Sequence, residues 1–384
     1  MSKHWPTVRL GEVLEPIARP EAVQPTSRYR MLGTRWYAGG LFAKEERTGQ
    51  EIAAAKLYRV CEGDFVYNRL FAWKGSFAIA GKESDGCYVS NEFPCFGIRR
   101  ERLDPSFLGY YFHRQSAWFE ALGLSSGATP TSRNRLKESL FLKMKIPLPP
   151  LAEQRRVVAR IEELAAQIHE ARSLRGQAVE EAESLLRSIL THDKQAKPAP
   201  MRELVKLRSP DVTVQADETY QFAGVYCFGR GVFKGLRKSG MDFAYARLTR
   251  LRAGEFVYPK LMAWEGALGV VPPDCEGCVV STEFPVFEVN EDRVFHEVLD
   301  THFRTPSVWP KLSRESTGTN VRRRRLNPQD FLDYEIPLPS RHTQMTLRVA
   351  KAEVDALKRL QAESAVELDA LLPAILDRAF RGEL

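Results

Sequence analysis

Hydrophobic positions recur every three or four residues over two long stretches of this chain. The first seam runs Val157, Ile161, Leu164, Ile168, Ala171, Ala178, Ala182, Leu185 and Ile189, and Arg175 takes the one seam position that is not apolar. Spacings that alternate between four and three are the heptad pattern of a coiled coil. About 37 residues at roughly 1.5 Å each make a rod of about 55 Å. The second seam runs Leu347, Ala350, Val354, Leu357, Leu368, Leu371 and Ile375, with polar Gln361 and Ser364 inside it. Pro373 is expected to bend or loosen its last turns, because proline lacks the amide hydrogen and crowds the turn before it. An apolar stripe needs cover, so each rod is expected to pair with the other, antiparallel.

Outside the rods the pattern changes to short β-type runs. Phe65-Val66-Tyr67, Ala78-Ile79-Ala80 and Tyr88-Val89-Ser90 are separated by Gly63, Gly75, Gly81 and Gly86, which reads as a small twisted sheet. Helical stretches follow at Ser106 to Leu122 and at about Val294 to Leu312. Each of these regions is therefore a mixed α/β head.

The heads are copies. Gly63 to Ile98 aligns without gaps on Gly254 to Val289 at an offset of 191, with 16 of 36 positions identical. Upstream, Tyr29, Gly33, Gly40 and Phe42 align with Tyr220, Gly224, Gly231 and Phe233. Downstream the register slips by one, so that Leu136 pairs with Leu326 and Gln154 with Gln344. Each copy runs through Ile-Pro-Leu-Pro (Ile146 to Pro149, Ile336 to Pro339) into its rod. A period this long marks duplication of a whole domain, not a solenoid repeat. The expected class is α+β: two tandem mixed α/β heads, separated and followed by long helices that pair as an antiparallel coiled coil. The boundaries read as 1–150 for the first head, 151–193 for the first helical region, 194–340 for the second head and 341–384 for the second helical region.

Composition fits two ordinary domains, with 43% apolar and 27% charged residues in 384. No apolar run approaches bilayer length. The first residues show no hydrophobic signal region, so a cytoplasmic protein without a membrane partner is expected. Six cysteines imply no disulfide framework in a chain of this size. Cys275 and Cys278 form a C-x-x-C with no second pair at a zinc-site spacing, and packing is the expectation for them. Net charge is +7, a modest excess that suits a polyanion. Most of the excess falls in the first head and in Arg322 to Arg325 of the second, while the rods are nearly balanced.

Differences between the copies point to where a polyanion would be read. Asn68 and Arg69 become Pro259 and Lys260, and Lys74 becomes Glu265. Late in each head, Ser125 to Thr129 leads through Ser132 into Arg133, Asn134 and Arg135. In the second head, Ser316 to Thr319 leads through Asn320 into Arg322, Arg323, Arg324 and Arg325. Gly, Ser and Thr offer donors to phosphate oxygens, arginine pairs with guanine edges, and asparagine pairs with adenine. The candidate contacts are therefore Asn68, Arg69, Lys74, Thr129, Ser132 and Arg133 to Arg135 in the first head. In the second they are Lys260, Thr319, Asn320 and Arg322 to Arg325. Against this stands the plainer view that exposed loops drift in any duplicated protein.

Catalytic signatures are missing from the sequence. The Asn-Pro-Pro-Tyr motif of amino-methyltransferases is absent, and Asn327-Pro328-Gln329-Asp330 does not replace it. No P-loop is present. Asp211 and Glu218 lack the lysine partner of a nuclease site. Neither a catalytic residue nor a metal ligand is expected.

Ile146 to Gln154 (IPLPPLAEQ), followed by Arg155 to Leu164 (RRVVARIEEL), resembles the conserved region after a target recognition domain in specificity subunits of type I restriction-modification systems. The Ser-Gly-Ala-Thr loop before it and the ending Leu371 to Leu384 are similar to that family as well. The resemblance covers nearly the whole chain. It implies two target recognition domains, each reading half of a split site in double-stranded DNA. It also implies helices that bind modification subunits, two of them, and restriction subunits that join to translocate and cut. No cofactor would be bound by this chain; S-adenosylmethionine, ATP and magnesium would sit on the partner subunits. The sequence departs from the pattern at Ser340 to Thr343, where the first copy has Pro150 to Glu153. A competing reading is a protein-binding scaffold of another multisubunit assembly, and a weaker one is a self-sufficient nuclease.

Overall fold

The computed structural model of the chain describes residues 5–127, 134–315 and 325–384, the side chains of 313–315 excepted. The chain divides into two compact units, Met1–Ser173 with Glu363–Leu384, and Leu174–Ala362.

In the first unit the buried run Phe65–Tyr67 is an inner strand of a four-stranded sheet, in the order Leu14–Ile17, Cys95–Ile98, Phe65–Tyr67, Phe77–Ile79. A five-stranded sheet has the order Pro20–Ala22, Lys56–Arg59, Tyr88–Val89, Arg28–Thr34, Leu41–Thr48. Thr7–Arg9 pairs with Lys145–Pro147 as a separate ribbon. The core is rich in phenylalanine: Phe65 stacks on Phe141 at 5.7 Å between ring centres, and Phe77 on Phe112 at 4.3 Å.

The expected helix from Ser106 to Leu122 is two helices, Pro105–Phe112 and Gln115–Leu124. Asp104 starts the first, its carboxylate accepting from the amides of Ser106 and Phe107 at 2.9 and 3.2 Å. The break lets Trp118 fold back and donate its indole N–H to the Phe112 carbonyl at 2.6 Å. That bond satisfies a helix-end carbonyl that would otherwise lack a partner.

The second unit repeats this plan strand for strand. Its four-stranded sheet has the order Val205–Leu207, Val286–Val289, Phe256–Val257, Gly269–Val270. Its five-stranded sheet has the order Val212–Thr213, Arg247–Arg250, Val279–Ser281, Thr219–Tyr226, Gly231–Ser239. The long hairpins share a bulge, between Arg30 and Leu32 and between Gln221 and Ala223. The helical stretch again breaks, into His296–Phe303 and Trp309–Glu315, and Trp309 donates to the Phe303 carbonyl at 2.8 Å. Cys275 and Cys278 are buried among Val257, Val280 and Val286.

The long helices span Leu151–Thr191 and Arg341–Phe380. Within the second unit they run antiparallel, with Glu183 paired to Lys358 at 2.6 Å. Arg175 donates to the Gln361 carbonyl, and Gln361 returns a bond to the Arg175 carbonyl at 3.4 Å. Arg175, the polar interruption of the first seam, thus meets Gln361 of the second, and a matched polar layer of this kind fixes register. In the first unit Arg172 pairs with Asp369 at 2.7 Å.

Two seam assignments need correction. Leu185 is 57% exposed while Leu186 is buried, and Leu371 is 45% exposed while Leu376 is buried. An α-helix with 3.6 residues per turn drifts from a strict heptad, so the buried stripe rotates along a long rod. The helix also continues through Pro373, and Leu376, Ala379 and Phe380 beyond it belong to the first head's core. Packing against that core outweighs the lost hydrogen bond.

Each helix is fastened to its head by one buried glutamine. Gln154 accepts from the Asp104 amide and donates to the Arg102 and Pro149 carbonyls, all at 2.8 Å. Gln344 accepts from the Phe295 amide at 3.0 Å and donates to the Arg293 and Pro339 carbonyls at 3.3 and 3.1 Å. Three backbone groups, buried or partly buried, depend on each amide. Gln154→Leu is expected to cost about 2 kcal/mol and to lower the first unit's thermal midpoint by roughly 4–8 °C, read by calorimetry on the full chain.

Candidate nucleic-acid interface

The described candidates lie around the turn into which the strand Phe65–Tyr67 or Phe256–Val257 runs out. At the first turn the Asn68 side chain accepts from the Leu70 amide at 2.9 Å, which shapes the turn. Arg69 points inward. Its guanidinium meets the Glu138 carboxylate and the Asn91 carbonyl, and its side chain is only 19% exposed. Its backbone also holds the flank that follows the late loop, because Leu136 N–H donates to the Arg69 carbonyl at 2.9 Å, while Arg69 N–H donates to the Glu92 carbonyl at 2.9 Å.

Lys260 occupies the same place in the second head. Its N–H donates to the Glu283 carbonyl at 3.0 Å, as that of Arg69 does to the Glu92 carbonyl, its carbonyl accepts from Leu326 N–H at 2.9 Å, and its ammonium donates to the Thr282 carbonyl at 2.9 Å. Arg69 and Lys260 thus have structural partners that explain their charge.

Arg135 and Arg325 are equivalent by position and by partner. Arg135 pairs with Glu92 and Arg325 with Glu283, the same glutamate in each copy. Both guanidinium groups stay nearly half exposed, at 46% and 43%. Asn134 lies half-buried beside the bridge between Ser126 and Arg135. Thr129, Ser132, Arg133, Thr319, Asn320, Arg322, Arg323 and Arg324 lie outside the described residues. What the structure describes of the late loops is therefore their flanks, held against the turn at Arg69 or Lys260.

Lys74 sits in the short turn Ala72–Lys74, its ammonium 3.7 Å from the Trp36 ring centre and 5.0 Å from that of Trp73. Trp36 and Tyr37 belong to the tip of the long hairpin and were not among the sequence candidates. Cys227 and Phe228 hold the equivalent tip in the second head. A signal for these tips was present in the sequence: an aromatic residue three positions before an aligned glycine in both copies (Tyr37 with Gly40, Phe228 with Gly231).

The Glu138 carboxyl is shifted below its usual range. Partial burial opposes the shift, and the Arg69 hydrogen bond outweighs it. A carboxyl lowered in the folded state adds stability that is present above its ordinary value of 4.5 and is lost as pH falls through the folded value. Glu138→Gln is expected to flatten the acid side of the first unit's stability profile. Thermal scans from neutral pH to below 4.5 test this, and an unchanged acid slope would count against it.

Residues 2–175 match the family described as type I restriction modification DNA specificity domain. By structure, the chain is similar to the HsdS subunit from Thermoanaerobacter tengcongensis, at 23% identity and a TM-score of 0.56 over 99% of this chain and 97% of that one. It is also similar to a chain from a study of complex assembly and conformational transition of the type I R-M system. That match has 23% identity and a TM-score of 0.68 over 99% of this chain and 98% of the other. These likenesses speak to fold. A comparison with curated proteins by sequence gave no match.

Proposed function

We propose that this chain, whose residues 2–175 carry a type I restriction-modification DNA specificity domain, is the DNA-reading specificity subunit of such a system. Each head reads one half of a split site in double-stranded DNA. The helical regions set the spacing of the halves and dock two modification subunits. Restriction subunits join that assembly. Methylation and cleavage, with S-adenosylmethionine, ATP and magnesium, belong to the partners, and the chain works in the cytoplasm without a catalytic group of its own.

The observation that carries this reading is duplication with exchange. Both heads have the same strand order and the same turn hydrogen bonds, while the side chains at the turn differ: Asn68, Arg69 and Lys74 against Pro259, Lys260 and Glu265. A frame that stays constant under changed polar groups suits two readers of different sequences. The family of the first head gives that frame its chemistry.

Exchange of residues 1–150 for another first head, in cells that also make the modification subunits, is expected to change one half of the methylated motif. Methylome sequencing reads the outcome, and a change in both halves contradicts the assignment. Removal of seven residues from each long helix is expected to alter the unread gap between the halves. An unchanged gap contradicts the spacing role. A scaffold that binds protein through its heads would instead show no salt-dependent affinity for duplex DNA.

A further inference from the structure

Each head presents an exposed aromatic ring on a left-handed residue. Tyr37 has φ 56° and Phe228 φ 61°, and they are 65% and 63% exposed. A bulky L-residue in that region is strained and persists only where its surroundings enforce it. The enforcement is the same in both copies. Tyr37 N–H and Ala38 N–H donate to the Lys74 and Gly75 carbonyls, each at 2.7 Å. Phe228 N–H and Gly229 N–H donate to the Glu265 and Gly266 carbonyls at 2.8 and 2.9 Å.

Behind the tip, the folded-back tryptophan presses on the turn. A methyl group on Gly75 would stand 2.4 Å from Trp118, and one on Gly266 would stand 2.4 Å from Trp309. Tip, turn and tryptophan form one firm piece in each head. Burial does not account for the ring at its apex, because most of the ring faces outward.

The piece also neighbours the described flank of the late loop. Phe71, two residues after Arg69, lies 5.6 Å from Trp36, and Arg69 carries the backbone bond to Leu136 just past that loop.

Two side chains beneath the ring change as a pair between the copies. Trp36 with Lys74 becomes Cys227 with Glu265, and each pair is in contact. The Lys74 ammonium stacks on Trp36 at 3.7 Å, and the Cys227 thiol donates to the Glu265 carboxylate at 3.5 Å. Drift of one member alone would lose that contact.

From this we infer that positions 74 and 265 are base-reading positions beneath an aromatic tip, with opposite chemistry in the two heads. Lys74 addresses the acceptor edge of a guanine, and Glu265 addresses the amino group of a cytosine. Tyr37 and Phe228 pack against the neighbouring base pair. Glu265 is the more selective of the two. Phosphates repel a carboxylate, and where Glu92 and Glu283 are neutralised by arginines, Glu265 takes the neutral Cys227 thiol, which leaves its charge suited to a base amino group on a surface that meets a duplex. The inference rests on the DNA-reading function proposed above.

The test uses the full chain made with its modification subunits. Glu265→Gln keeps the side chain's shape and is expected to admit adenine at one cytosine of the second half-site, with discrimination there changed roughly tenfold. Lys74→Met keeps the stem against Trp36 and is expected to relax one guanine of the first half-site by a similar factor. In each variant the other half-site stays as in the wild type. Methylome sequencing and anisotropy on singly substituted duplexes read both effects. Variants that methylate the wild-type motif with unchanged preference at every position overturn the inference and leave the subunit assignment standing. A wild-type complex that methylates no split site overturns the assignment, and the inference with it.

Discussion

Neither head closes its core without a long helix, and one buried amide holds each helix in place. Gln154 and Gln344 stand in the first turns of the two helices with almost no exposure. Each ties three backbone groups of its head. Once the amide is set, Val157 and Ile161 complete the first core, and Leu347 and Val354 complete the second. Leaving those backbone groups unpaired away from water would cost more than any single contact in the seam returns.

The copies close the joint by different means. In the first unit Ile161 is fully buried, and Gly109 stands in the helix Pro105–Phe112. At the aligned positions the second unit has Lys351 and Asp300, whose charged atoms lie 3.1 Å apart with Asp300 only 4% exposed. Burial alone would raise the Asp300 carboxyl, but Arg304 and Lys351 hold it below its usual range. A buried ion pair contributes little net stability over a well-packed apolar pair, but a lone buried charge is costly. In the second unit Lys351 of the long helix and Arg304 of the head's own helix together neutralise Asp300, so the charge at that joint is shared between head and helix.

The hairpin tip shows how the same frame holds unlike chemistry. Its backbone bonds to the turn use main-chain atoms only, so any side chain at 74 or 265 keeps them. The strained residue at 37 or 228 is fixed by those bonds and by the tryptophan behind the turn. Side chains at 36 and 74 can then change together without disturbing the sheet.

Much of the architecture was legible in the chain. The duplication, the strands around Phe65–Tyr67, the rods and the equivalence of Gln154 with Gln344 all rest on local periodicity or on spacing. The helix break at His113 and Arg114 was not legible, because it is set by Trp118 reaching back to Phe112. The stripe at Leu185 and Leu371 was misplaced because the heptad rule ignores the drift of a straight helix. The cationic turns were visible as charge, but their partners were not. Arg69 meets Glu138, Arg135 meets Glu92 and Lys74 meets Trp36, each across many residues of chain. What the sequence by itself determined was the plan of two copied heads and two helices, since periodicity and repetition are properties of neighbours in the chain. Only the tertiary structure decided which cations turn inward to a carboxylate and which ring stands at the apex, because a side chain's direction depends on contacts between segments the sequence keeps far apart.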